Sequence, residues 1–177
     1  MLLNERLLLR ELTNNDWIDV HKYASQDKVC EYQPWGPNKV EDSKDFVKQV
    51  IKDASQEPRT RYVFAIVHKD MESVVGAGEL NIRDFTNKNG EIGYIVNPDY
   101  WGKGLATDVA NLLIDFGFSE LKLHRIYATC DPRNIGSSKV LEKVGMTKEG
   151  RIRENLLIKG GWRDSLLYSI LENEWQE

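Results

Sequence analysis

The sequence predicts a single α/β (α+β) domain with a mixed sheet. Three observations carry that expectation. Apolar residues recur at helical spacing early in the chain and then give way to β-rich runs. Asn87-Lys88-Asn89-Gly90 puts a hairpin between two of those runs, because Asn-Gly tolerates positive φ. Helical segments separate the later strands, so crossovers join a sheet that also contains hairpins.

The elements follow in order. Arg6-Leu7-Leu8-Leu9-Arg10-Glu11-Leu12 reads as a strand. Thr13, with Asp16 three positions on, marks a helix start whose buried stripe is Trp17, Val20 and Ala24. Tyr32-Gln33-Pro34-Trp35-Gly36-Pro37 is too rich in Pro and Gly to be regular. Asn38-Lys39-Val40-Glu41 is a second capping pattern. The helix behind it carries Phe46, Val47, Val50, Ile51 and Ala54, and Pro58 closes it. Residues 62–67, 74–82 and 91–96 are three strands. Ala106, Val109, Ala110, Leu113, Phe116 and Gly117 mark a long amphipathic helix. Residues 125–129 form a strand, and Val140, Leu141 and Val144 mark a helix that Gly145 caps. Two late strands centre on residues 146–155 and 165–171.

The 177 residues suit one domain spanning 1–177, since no repeat, Pro-rich stretch or Gly/Ser linker divides them. Hydrophobic residues at 41% supply a real core. Lys plus Arg is 24 against 28 Asp plus Glu, a net charge of −4. Without a basic tract, nucleic-acid binding through phosphate neutralisation is not expected. No apolar run approaches the roughly 18 residues of a membrane span. The start reaches Glu5 and Arg6 at once, so no signal peptide is expected and the predicted compartment is the cytoplasm. Cys30 and Cys130 lie far apart and suggest neither a disulfide framework nor a metal site.

One stretch carries chemistry. A strand ending Tyr94-Ile95-Val96 runs through Asn97 and Pro98 into Trp101-Gly102-Lys103-Gly104-Leu105-Ala106-Thr107, where a helix begins. Amides at a helix start lack intrahelical acceptors, and the helix dipole favours an anion there. Gly102 and Gly104 allow close approach of the backbone to a pyrophosphate. The turn is not a Walker A loop. Nor is it a dinucleotide fingerprint, since Thr107 stands where a third Gly belongs.

A second segment, Asn134-Ile135-Gly136-Ser137 through Leu141-Glu142-Lys143-Val144-Gly145, follows at a suitable interval. Together these motifs resemble the GNAT superfamily of acetyl-CoA-dependent N-acetyltransferases. The Leu7-Leu8-Leu9-Arg10 start and the Gly160-Gly161-Trp162-Arg163-Asp164 tail resemble its branch of ribosomal-protein N-terminal (alanine) acetyltransferases. Diamine acetyltransferases look similar over the same regions. The resemblance implies a GNAT-like, mostly antiparallel sheet of about seven strands flanked by about four helices. Its fourth and fifth strands, residues 92–96 and 125–129, would splay to admit pantetheine.

The resemblance also implies roles. Tyr94, Ile95, Val96, the turn from Trp101 to Thr107, Asn134 and Ser137 would bind acetyl-CoA. Glu79 is the candidate base, and Ser137 the candidate donor to the departing sulfur. Tyr32 and Trp35 would line the acceptor side, with Trp162 as a further candidate. The acceptor would be an amine on a protein N-terminus, such as that of a ribosomal protein, or on a small molecule such as a polyamine or an antibiotic. A monomer or homodimer is expected, with no metal, nucleic acid or membrane partner. Two positions depart from the family pattern: Trp101 replaces the usual Gln or Arg, and Leu141 replaces the usual proton-donating Tyr. These departures favour one other reading, a non-catalytic module that only binds acetyl-CoA.

Overall fold

In this computed structural model, residues 1–175 are described. The strands are β1 (Leu2–Leu3), β2 (Leu7–Glu11), β3 (Arg61–His68), β4 (Ser73–Asp84), β5 (Asn89–Val96), β6 (Arg125–Cys130), β7 (Thr147–Ile158) and β8 (Gly161–Leu171). The helices are α1 (Trp17–Ala24), α2 (Asp27–Cys30), α3 (Val40–Ala54), α4 (Leu105–Ser119) and α5 (Ile135–Lys143). The strands form one sheet of order β1-β2-β3-β4-β5-β6-β8-β7. Every neighbouring pair is antiparallel except β5 and β6. The mixed, mostly antiparallel architecture follows the sequence expectation. Two short pieces add to it, the two-residue β1 and the one-turn α2.

Period-two alternation puts apolar residues on both faces of the sheet, and each face builds its own core. Leu80, Ile92 and Val96 pack with Leu105, Val109, Leu113 and Leu141, beneath α4 and α5. Ala77 and Ile95 face the other way, toward Val20, Tyr23, Val47 and Val50 of α1 and α3. The sheet is therefore covered on both sides, with β5 at its centre.

Local chemistry moved two expected features. The α3 cap is Lys39 rather than Asn38, and its N–H donates to Asp42 Oδ2 at 2.7 Å. Asn38 instead ties the preceding loop to α1 through the carbonyl of Ala24. In the β4–β5 hairpin the positive φ belongs to Lys88, at 48°, while Gly90 lies inside β5. Gly90 is there for space, because a Cβ would come within 2.6 Å of Leu123 Cδ1. The β7–β8 hairpin turns at Lys159 and Gly160, both at positive φ, as a tight two-residue turn requires.

Candidate functional site

The site begins where the sheet opens. β5 and β6 pair only from Asn89 to Glu91 against Arg125 to Tyr127, and then diverge. The expected split thus starts beyond Tyr127, with residues 125–127 still paired. On its other edge β5 stays paired with β4 up to Val96. The Asn97 N–H donates to the carbonyl of Val75, which fixes the phase of that ladder. Antiparallel alternation then turns the N–H groups of Tyr94 and Val96 toward the gap. The amide of Ile95 faces β4 instead, so its main chain serves the sheet. A cleft of about 1600 Å³ runs through the opening, lined from α1–α3 on one side and α4–α5 on the other.

Trp101 finishes the split. Its indole N–H donates to the Val96 carbonyl at 2.7 Å, satisfying a group that β6 no longer reaches. The residue that breaks the family's Gln/Arg pattern thus terminates a strand. Trp101→Phe should therefore lower stability by about 1 kcal/mol, the worth of one hydrogen bond. Urea denaturation checks this, and an unchanged midpoint would assign the bond no weight.

The glycine turn follows. Gly102 and Gly104 have φ of 73° and 80°. The N–H groups of Gly102, Lys103 and Gly104 have no backbone acceptor among the described residues, and those of Leu105 and Ala106 open α4. A Cβ at Gly102 would meet nothing within 4 Å, so the cradle is open to an anion. Thr107 closes the turn through its N–H to the Gly104 carbonyl at 3.1 Å. Lys103 is exposed, and its ammonium lies 5.0 Å from the centre of the Tyr100 ring. Arg6 braces the turn from β2's start, donating to the Lys103 carbonyl at 2.8 Å and to Asp108 Oδ2 at 2.6 Å. Sequence reading missed Arg6, since nothing in a strand-leading arginine announces a partner 97 residues away.

At the start of α5, Asn134 caps the helix. Its Oδ1 accepts the Ser137 N–H at 3.1 Å, and its side-chain amide nitrogen has no hydrogen-bond partner among the described residues. Ser137 Oγ lies 3.3 Å from the Tyr94 hydroxyl. Leu141, one turn later, is buried in the core. Cys130 also reaches the cleft wall, which its sequence position did not reveal. Burial pushes its thiol up, which disfavours the thiolate form.

Glu79 sits on the opposite face of the sheet from Tyr94, across the strand pair from Gly93. Because residue 93 has no side chain, the nearest atoms to its missing Cβ are Cγ and Oε1 of Glu79, at 3.6 Å. Arg61 holds Glu79 Oε2 at 3.1 Å and Asp53 Oδ2 at 3.0 Å. Oε1 has no hydrogen-bond partner among the described residues. The base candidate and the sulfur-donor candidate thus lie on opposite faces of the sheet, and the split between β5 and β6 connects them.

Tyr32 and Trp35 line the α1–α3 end of the cleft. Trp162 is exposed on the β7–β8 hairpin beside a smaller hollow that also includes Tyr32. Asp131 is buried and ties to Arg133 at 2.8 Å, and this pair holds its carboxyl below the usual range. Asp164 is paired with Arg151, and His124 is an exposed partner of Glu172.

This geometry can be set beside known proteins. The family described as "Acetyltransferase (GNAT) domain" matches residues 6–147. The chain belongs to the GNAT acetyltransferase family. An uncharacterized N-acetyltransferase of Bacillus subtilis, YnaD, is 36% identical over 98% of both chains. The structure of a ribosomal-protein-S5-alanine acetyltransferase from Vibrio fischeri superposes with a TM-score of 0.81 at 28% identity, covering 99% of this chain and 98% of that one. The spermidine N(1)-acetyltransferase of Escherichia coli is 28% identical, over 94% of this chain and 87% of its own. As a GNAT enzyme this protein is an acetyl-CoA-dependent acyltransferase. The free amides of the glycine turn and of the split strand fit that cosubstrate. Among the described residues no helix is long and apolar enough to cross a membrane.

Proposed function

We propose that this single-domain enzyme acetylates a primary amine of a small cationic molecule by direct attack on acetyl-CoA. The observation that carries this reading is the pair of cleft ends. Main-chain amides of the glycine turn occupy one end. Three carboxylates, Glu31, Asp42 and Asp45, line the other, around the candidate base Glu79, whose charge Arg61 offsets. Among the basic side chains there, Arg61 is held by Asp53 and Glu79, Arg133 is paired with Asp131, and Arg163 donates to the Tyr32 carbonyl and lies 3.9 Å from Asp131, which leaves Lys28. A cationic amine is drawn to such an end. The Escherichia coli relative that acts on spermidine supports this choice. Buried free thiols at Cys30 and Cys130 suit a reducing compartment such as the cytoplasm.

The turn from Trp101 to Thr107 cradles the pyrophosphate, and the amides of Tyr94 and Val96, with Asn134, receive pantetheine and the thioester carbonyl. Glu79 Oε1 takes one proton from the ammonium form of the acceptor. The free amine attacks the carbonyl, a C–N bond forms, and the C–S bond breaks with its electron pair left on sulfur. Ser137 donates a hydrogen bond to that sulfur. The second nitrogen proton neutralises the thiolate. Tyr32 and Trp35 flank the acceptor.

An acceptor panel tests the reading. It compares spermidine, an aminoglycoside and peptides with N-terminal Ala or Ser, following release of the CoA thiol. The polyamine should give the highest kcat/KM, with a value that falls as salt screens the carboxylates. Preference for a peptide N-terminus would overturn the acceptor assignment. Acetyl-CoA binding without turnover on any amine would overturn catalysis and leave a binding module.

A further inference from the structure

The proton donor that GNAT relatives place at position 141 is absent here, yet a phenol still reaches the α5 end of the cleft. It comes from β5. Tyr94 crosses 43 residues of sequence to put its hydroxyl 3.3 Å from Ser137 Oγ. The serine backbone is fixed, because its N–H is spent on the Asn134 cap at 3.1 Å. The neighbouring Ser138 is occupied elsewhere, with Oγ 3.4 Å from the Asn134 carbonyl and 3.5 Å from Cys130 Sγ. Leu141 is 1% exposed and carries no proton to give.

A serine hydroxyl has one proton and two lone pairs. Either hydroxyl can donate across this contact; when Tyr94 donates to Ser137 Oγ, the serine proton is free to turn to a third group. We propose that Tyr94 is a positioning residue, which donates to Ser137 Oγ and so aims the Ser137 O–H at the sulfur leaving acetyl-CoA. This assignment rests on the acetyl-transfer reading above. It also names a residue whose side chain that reading does not use.

The chemistry is hydrogen bonding rather than relay. Burial pushes the Tyr94 phenol up to about 12. A thiol near about 8.5 is the stronger acid, so the thiolate does not strip the phenol of its proton. The C–S electron pair stays on sulfur, held by the Ser137 O–H, until the proton on the adduct nitrogen arrives. Tyr94 keeps its own proton throughout.

The test reads the bound thiol directly. CoA is added to the enzyme, and thiolate absorbance is followed against pH as a difference from the desulfo-CoA complex. Tyr94→Phe keeps the ring and its packing but removes the donor. It should raise the apparent pKa of bound CoA by roughly half to one unit, the worth of one hydrogen bond. It should also lower kcat about 3–10-fold, with acetyl-CoA affinity unchanged. Ser137→Ala should raise that pKa at least as far, and Tyr94→Phe should add nothing in its background. A parental thiol pKa and parental kcat in Tyr94→Phe would make Tyr94 a packing residue and overturn the proposal. A further shift in the Ser137→Ala background would also overturn it, since Tyr94 would then act without the serine. A parent enzyme that binds no CoA would instead defeat the acetyl-CoA reading itself, which separates the two failures.

Discussion

Glu79→Gln should lower kcat by about 10²–10⁴-fold while KM for the amine stays close to the parent value, the effect of removing a positioned proton acceptor. Arg61 clamps Oε2 at 3.1 Å and is itself anchored at 3.0 Å on Asp53, so the carboxyl is held rather than free to swing. Oε1 sits over Gly93, at the edge of the open strand. Glutamine keeps the size and can still accept from Arg61, but it cannot take a proton. Steady-state kinetics with a saturating amine measures the change. Asp53→Asn is the control, because Asp53 touches Arg61 and Gln49 and does not line the cleft. It should cost much less than Glu79→Gln. If KM rises instead and kcat holds, Glu79 anchors the cationic acceptor and the base lies elsewhere.

The order of the longer elements was legible because each rests on local periodicity, whereas β1 and α2 are too short to show a period. The strand-to-helix corner at Gly102 and Gly104 was equally local: two positive-φ glycines ahead of an apolar helix. The split between β5 and β6 came through family resemblance. No residue pattern states that pairing stops after Glu91, and strand pairing is a property of two segments at once. The same limit hid the Tyr94 hydroxyl. The family resemblance makes Tyr94 a cofactor-binding residue, but the hydroxyl's partner lies on another element. Trp101 read as a loss of charge at the phosphate turn. Only the three-dimensional path of the chain brings its indole N–H onto the Val96 carbonyl. Gly90 was read by turn chemistry, whereas Leu123 crowding it from across the sheet decides its place.

Gly104→Val should weaken acetyl-CoA binding by about 10–100-fold, the loss of roughly one charge-assisted hydrogen bond. Crowding is not the cause. The one atom within 4 Å of an added Cβ is Arg6 Nη2, at 3.4 Å, the tip of a half-exposed side chain. The cause is the backbone. Gly104 sits at φ 80° and ψ 1°, a left-handed conformation that a β-branched residue resists. The strain, roughly 1–2 kcal/mol, relaxes by swinging the turn out of that conformation. The amides of Gly104, Leu105 and Ala106 then lose their common aim at the anion. Lys103→Ala leaves the backbone alone and removes an exposed charge stacked near Tyr100, so it should cost less than about threefold. Calorimetric titration of both variants measures the difference, and a retained melting transition shows that each is folded. Equal affinities for Gly104→Val and the parent would reject the main-chain cradle. A larger loss in Lys103→Ala would move the phosphate site from the backbone amides onto the lysine.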